Sequence, residues 1–259
     1  MQLLKKTALF ILIINTYSCA NYPIQSYSES DILLTDSITS NDPSLEKLIS
    51  PYKINLDQSM SEVLNQSAIA MPKPDRKSGT VEPEFLLGNF VADLCMDMGK
   101  QKYLPEDNQP INICALNTGG LRTSLPKGDI TRGKIFELMP FENELVVLTL
   151  SGKSTQKLVQ YIAAQNGIPI SGLQMSIRND KPNDILINNT AFDSTKTYKI
   201  ITSDYLARGG DKMTFFSEHL KSETIGLKLR DAIIQYVIQE KKAGRRLTST
   251  LDKRVSIDE

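Results

Sequence analysis

The sequence is poor in the residues from which catalytic and metal centres are usually assembled. A single histidine, His219, leaves no set of imidazoles for a His-rich metal site within the chain. Three cysteines, Cys19, Cys95 and Cys114, show no C-x-x-C spacing, which argues against a zinc ribbon or a thioredoxin-like dithiol. Neither sign of charge is in excess. Thirty Lys and Arg face 30 Asp and Glu, with no run of five like charges, so the electrostatic footprint of a duplex-binding protein is missing and nucleic acid polymers are not expected as partners. What remains is a 259-residue chain, 40% hydrophobic and 23% charged, with enough material for one sizeable core or two modest ones.

The N-terminus has the order of an export signal: Lys5 and Lys6, then apolar Ala8 to Ile14, a stretch too short to span a bilayer. Residues 1–18 are therefore expected to be a removed signal peptide. Thr16-Tyr17-Ser18-Cys19 is similar to a loose bacterial lipobox, which marks Cys19 as the lipidation site and first mature residue; an ordinary cleaved signal with Cys19 incidental is the alternative. Cleavage there takes away two lysines and no acid, leaving 28 basic against 30 acidic side chains, so attachment would rest on acyl chains rather than on charge. Residues 19–50, rich in Ser, Thr and Asp, are expected to form a flexible tether, and residues 51–259 one folded domain. The expected location is the cell envelope, as a membrane-anchored lipoprotein on a periplasmic or outer-membrane face. Cys95 and Cys114 both lie in apolar contexts and read as buried thiols rather than a disulfide, although an exported compartment leaves that bridge open.

Apolar periodicity then switches between that of helices and that of strands. Leu86, Leu87, Phe90, Val91 and Leu94 share one helix face, and Ile111 to Leu116 is a short strand feeding Asn117-Thr118-Gly119-Gly120. Glu144 to Leu150 is a strand, Ser151-Gly152 a turn and Lys153 to Gln165 a helix. Gly172 to Ile177 and Ile185 to Ile187 read as hairpin strands, with Asn179, Asp180, Pro182 and Asn183 in the turn, and Lys199 to Thr202 as another strand. Gly226 to Lys242 has the pattern of an amphipathic helix stopped by Gly244. The class expected is α+β, with mixed sheets and packed helices.

Three loops carry residue types that a core does not require. Asn117 to Arg122 pairs adjacent glycines with an arginine, which suits backbone approach to a ligand and planar capture of phosphate or carboxylate; alone it fits equally a tight turn with a solvated arginine. Met139 to Glu144 places Phe141 and Asn143 at the entry of a strand, the first a possible core anchor and the second a donor and acceptor for a base edge. Ser203 to Asp211 leads from a strand into Gly209-Gly210-Asp211, which on its own is an Asp-terminated turn.

Taken in order, these blocks resemble the C-terminal, substrate-binding domain of the 5′-nucleotidase family. The resemblance is carried by Asn117 to Arg122 (N-x-G-G-L-R), Gly133 to Asn143 ending in P-F-x-N, and Tyr205 to Asp211 (Y-L-A-x-G-G-D). Leu87 to Asp93 is similar to the family's L-G-N helix and Leu150-Ser151-Gly152 to its L-x-G turn, so the likeness runs over roughly residues 61–216. It implies a base sandwiched between Phe141 and Tyr205, with Asn143 on the base edge, Gly172 beside the base, Asp211 on the ribose hydroxyls, Arg122 on the phosphate and Asn117 near the scissile phosphate. Stacking needs only a flat π-face and contributes about 1–3 kcal/mol per base in nucleic-acid complexes, so tyrosine at position 205 serves as well as another ring.

The chain also departs from the family pattern. An arginine normally precedes the L-G-N helix, whereas Val81-Glu82-Pro83 stand here and only Arg76 or Lys77 lie further back; Lys212 and Thr118 replace glycines. Family enzymes carry a two-metal phosphoesterase domain in front of this one, and one histidine does not furnish its ligands. The resemblance therefore implies no metal or cofactor on this chain, divalent metals on a partner domain, and no activity alone. The expected function is the nucleotide-recognition half of a split phosphohydrolase acting in nucleotide catabolism, partnered by a separately encoded metallophosphoesterase. The alternative is a surface lipoprotein that binds nucleosides or nucleotides without hydrolysis.

Overall fold

The computed structural model describes residues 42–74 and 82–258. The expected signal, the lipidation site Cys19, most of the tether, and Arg76 and Lys77 lie outside them. The chain divides into two units at Ser50/Pro51. Helix α1 (Pro43–Ser61) runs across that boundary. Residues 43–50, the last of the expected tether, are helical: the Asp42 carboxylate accepts hydrogen bonds from the Ser44 amide at 2.8 Å and the Ser44 hydroxyl at 2.6 Å, with Pro43 opening the helix.

The second unit is a mixed α/β fold of three sheets. β1 (Val63–Ser67) pairs antiparallel with β3 (Gly128–Thr131). A five-stranded sheet has the order β10 (Lys221–Lys228), β4 (Glu144–Ser151), β9 (Thr197–Ser203), β2 (Ile113–Ala115), β5 (Ile170–Ser171), in which only β2 and β9 run parallel. A four-stranded sheet has the order β11 (Val255–Ile257), β6 (Leu173–Arg178), β7 (Lys181–Ile187), β8 (Thr190–Ala191). Helices α2 (Leu86–Lys102), α3 (Arg132–Leu138), α4 (Gly152–Ala164), α5 (Asp204–Ala207) and α6 (Leu229–Lys242) complete the unit.

The apolar run of β4 is explained by burial on both faces. Leu145 and Val147 join the core built from α2, α3 and α6, while Val146, Leu148 and Leu150 join a second core with α4 and the four-stranded sheet. The same alternation sends Cys114 to the first core and Ile113 and Ala115 to the second. Cys95 and Cys114 are free, buried thiols, and burial, with Cys95 alongside, pushes the Cys114 thiol well above its usual range.

Two element boundaries differ from the sequence reading by three residues or more. The hairpin turn is only Asn179-Asp180, both at positive φ (50° and 58°), and Pro182 and Asn183 belong to β7. Proline is admitted there because β8 pairs only with Leu186 and Ile187, leaving Pro182 without a ladder neighbour on its other side. Residues 226–228 belong to the edge strand β10 rather than to a helix: Gly226 sits at φ 64°, outside helical space, and Lys228 pairs with Glu144, so α6 begins at Leu229.

The L-x-G turn has a steric cause. A Cβ on Gly152 would lie 2.1 Å from the Ser194 carbonyl oxygen, a backbone atom that cannot move aside cheaply. Gly152→Ala is accordingly expected to lower unfolding free energy by about 1–3 kcal/mol in denaturant titration, the usual cost of an overpacked site. An unchanged midpoint would mean that the 194 loop yields freely.

Candidate functional site

Strand directions bring the three chemistry-bearing loops to one end of the five-stranded sheet. β2 and β9 are parallel, so the chain leaves both at the same edge, toward Asn117 and toward Tyr205. β4 is antiparallel to β9 with Leu145 opposite Ser203, so the chain enters β4 from that same edge, through Phe141 and Asn143. Between the loops lies an open cleft of about 920 Å³ lined by Asn117, Arg122, Phe141, Asn143, Tyr205 and Asp211 among others.

Asp211 ties the cleft together. One carboxylate oxygen accepts from the Asn117 side-chain amide at 2.6 Å, the other from the Tyr205 hydroxyl at 2.8 Å, and the Asp211 amide donates back to that hydroxyl oxygen at 3.2 Å. Tyr205 stands on the short helix α5, whose N-cap, the Ser203 hydroxyl, accepts from the Leu206 amide. Its ring lies so close over the Gly209-Gly210 turn that a Cβ on Gly210 would meet it at 2.5 Å. Asp211 and Lys212 themselves adopt positive φ (50° and 65°), which accounts for the preference for glycine at position 212 and makes lysine there a strained choice.

Phe141 and Tyr205 are 42% and 46% exposed, large for aromatic rings, so neither is a core anchor. The Arg122 guanidinium lies 5.9 Å from the Phe141 ring centroid and donates to the Gly119 carbonyl at 3.2 Å; among the described residues it has no carboxylate partner. Asn143 spends its backbone carbonyl on the Leu229 amide at 2.9 Å, and its side-chain amide has no hydrogen-bond partner among the described residues. The cleft therefore offers two exposed rings, a free amide, a carboxylate and a cation.

A family model for the 5′-nucleotidase, C-terminal domain, matches residues 65–218, a span holding every residue just described except Leu229. The chain belongs to the 5′-nucleotidase C-terminal domain family. It is 26% identical over 247 residues to the trifunctional nucleotide phosphoesterase protein YfkN of Bacillus subtilis (strain 168), covering 88% of this chain and 16% of that protein. Protein UshA of Escherichia coli (strain K12) is 26% identical over 166 residues, 57% of this chain and 30% of the relative. In fold the chain is similar to the 5′-nucleotidase precursor from Thermus thermophilus, with a TM-score of 0.68 at 21% identity, covering 82% of this chain and 42% of that one. The Haemophilus influenzae NAD nucleotidase gives 0.61 at 18% identity, covering 84% and 42%. The chain thus spans less than half the length of each of these relatives.

One residue carried over from the family pattern is not in the cleft. β5 runs antiparallel to β2 with Cys114 opposite Ser171, so the chain at Gly172 is already travelling away from the edge where the loops gather. This 5′-nucleotidase C-terminal domain needs glycine there for another reason: φ is 77°, and a Cβ would lie 2.2 Å from the Asn112 carbonyl oxygen. Gly172 lines a separate polar hollow with Asp93, Asn188 and Arg254.

Conversely, the sequence reading missed Lys73. A backbone pairing of Met71 with Leu125 and a hydrogen bond from the Lys73 amide to the Ser124 hydroxyl pin this segment beside the Asn117 loop. There Lys73 lines a hollow of about 410 Å³ that shares Asn117, Gly119 and Asp211 with the cleft. Burial, and then the positive charge of Arg122 nearby, hold its ammonium below the ordinary lysine range, and it has no ion pair among the described residues. No motif signals it, because the contact is made through tertiary pairing. Among the described residues no three potential metal ligands gather.

The bridge makes a spectroscopic prediction. The hydrogen bond to Asp211 raises the Tyr205 phenol above the ordinary tyrosine value, because it favours the neutral, donating form. Asp211→Asn should bring the Tyr205 titration down in a pH series of tyrosine ring carbon shifts, and an identical titration in both proteins would show that the bridge is not formed.

Proposed function

We propose that this chain is the nucleotide-recognition half of a split 5′-nucleotidase-type phosphohydrolase. The observation that supports this best is the convergence on one cleft of two exposed rings with Asp211, Asn117 and Arg122, since exposed rings cost solvation that a bound heterocycle would recover. In this reading Phe141 and Tyr205 stack the base and the free amide of Asn143 meets its edge. Asp211 keeps lone pairs for the ribose hydroxyls even while held by Asn117 and Tyr205, because a carboxylate has about four acceptor sites. Arg122 and Lys73, two cations without carboxylate partners among the described residues, take the phosphate; Lys73 supplies a positive charge that the Val81-Glu82-Pro83 sequence does not.

The hydrolytic step adds water to phosphorus and breaks its bond to the ribose oxygen, giving nucleoside and inorganic phosphate. A separately encoded metallophosphoesterase would supply divalent metals and the attacking water. This chain would bind, orient and hold the leaving nucleoside, with Asn117 beside the reacting phosphate. Export and attachment through Cys19 would place the pair in the cell envelope, where nucleotide catabolism feeds nucleosides to uptake. Among the described residues no helix is long and apolar enough to cross a membrane.

Calorimetry with AMP and adenosine tests the reading. AMP is expected to bind more tightly than adenosine; Phe141→Ala should weaken both by roughly tenfold, the scale of one lost base stack. Arg122→Ala and Lys73→Ala should each weaken AMP alone by roughly tenfold, the scale of a charge-assisted contact. Equal affinity for the two ligands, unchanged in the cation variants, would instead make the chain a nucleoside-capturing surface protein. Mixing with single-domain metallophosphoesterases of the same envelope should release phosphate from AMP; neither association nor release with any of them would sink the split arrangement.

A further inference from the structure

We propose that Arg230 is a positioning residue for the base-binding ring, acting through the backbone that carries Phe141. The proposal rests on the reading of Phe141 as a stacking platform. Phe141 is exposed and belongs to neither hydrophobic core, so no apolar cradle fixes its ring. Its placement is set by segment 140–143, and the junction of β10 with α6 grips that segment closely. Arg230 donates to the Pro140 carbonyl at 3.1 Å and the Phe141 carbonyl at 3.5 Å, while the adjacent Leu229 amide donates to the Asn143 carbonyl at 2.9 Å. Between them the Glu142 carboxylate is clasped by both Arg230 and Lys228. Successive residues of the loop are thereby tied to one element.

The chemistry of Arg230 is not that of a filler. Its side chain is 8% exposed, and the guanidinium lies 4.2 Å from the centroid of the Phe136 ring on α3. Its Nε–H is buried without an acceptor, a cost that a methionine packed on the same ring would avoid. Arginine is justified there by a planar fork that reaches carbonyls and carboxylate together, which lysine does not supply. Lys228 and then Arg230 hold the Glu142 carboxyl down at about 2, so the clasp stays charged across the whole range in which the protein would work. Arg230 lies outside the residues matched by the family model.

The test is a double-mutant cycle read by AMP calorimetry, with thermal unfolding of every variant alongside. Arg230→Met is expected to weaken AMP by roughly tenfold in the parent and by less than about twofold in the Phe141→Ala background, because it acts through the ring already removed. Arg230→Lys, which keeps the charge opposite Glu142 with less of the fork, should lose about threefold, again only when Phe141 is present, and serves if the methionine variant fails to fold. A ligand-independent measurement accompanies these. Phe141→Trp gives the tryptophan-free chain a single reporter, whose fluorescence anisotropy should fall when Arg230→Lys or Arg230→Met is added. Folded Arg230 variants that bind AMP like the parent, or losses that simply add to that of Phe141→Ala, would overturn the positioning role while leaving base stacking intact. If Phe141→Ala itself binds AMP like the parent, the stacking reading falls and the positioning role with it.

Discussion

Asp211 receives the Asn117 amide and the Tyr205 hydroxyl on its two carboxylate oxygens, and the geometry of the cleft follows from that bridge. The contact joins a loop leaving β2 to a loop leaving β9, elements far apart in sequence and adjacent in the sheet. It fixes the edge of an otherwise exposed tyrosine ring and turns the amide of Asn117 toward the Tyr205 loop. Glycine at 210 is required because the ring passes directly over it, and the positive φ of Asp211 aims the carboxylate between the two loops. One charged group thus converts two flexible turns into a wall with a fixed spacing.

A similar economy governs the opposite wall. The loop bearing Phe141 has little apolar burial of its own and is held by ionic and carbonyl contacts from the start of α6. The two exposed rings are therefore held by different physics, one by a hydrogen bond at its own hydroxyl and the other through its backbone. Both devices act at the same sheet edge, because strand polarity delivers β2, β4 and β9 to it together. The arrangement leaves ring faces open while restricting their motion, the condition under which a flat ligand binds with little ordering cost.

Charge is distributed with comparable asymmetry. Several basic side chains near the cleft are spent on carboxylates, as Lys228 and Arg230 are on Glu142 and Arg208 is on Asp204. Arg122 and Lys73 are not so paired among the described residues, and they stand close enough for one to depress the protonation of the other. Two like charges brought together with neither in an ion pair are unfavourable, and an anion placed between them relieves the repulsion. The cleft and its neighbouring hollow share the Asn117 and Asp211 wall, so the two exposed rings and Arg122 line one side of a single hydrogen-bonded bridge and Lys73 lines the other.

What the sequence determined by itself were the elements whose environment is written in their own residues. β4 is apolar because both faces are covered, α2 shows its helix face, and the turns at Gly152 and Gly210 announce close approach of other atoms. The residues at 117, 122, 141, 143, 205 and 211, which line the cleft, were legible as loop chemistry in a fixed order. Only the tertiary structure decided the rest. β10 is polar and exposed along most of its length and exists because β4 offers it a hydrogen-bonding edge, which is why its last residues resemble the start of a helix when read alone. Gly172 carries a glycine's signature but points to the Asn112 backbone, since antiparallel pairing with β2 takes the chain away from the cleft. Lys73 and Arg230 reach the site through pairings across the fold, and no spacing along the chain encodes a contact that depends on which strand ends share an edge.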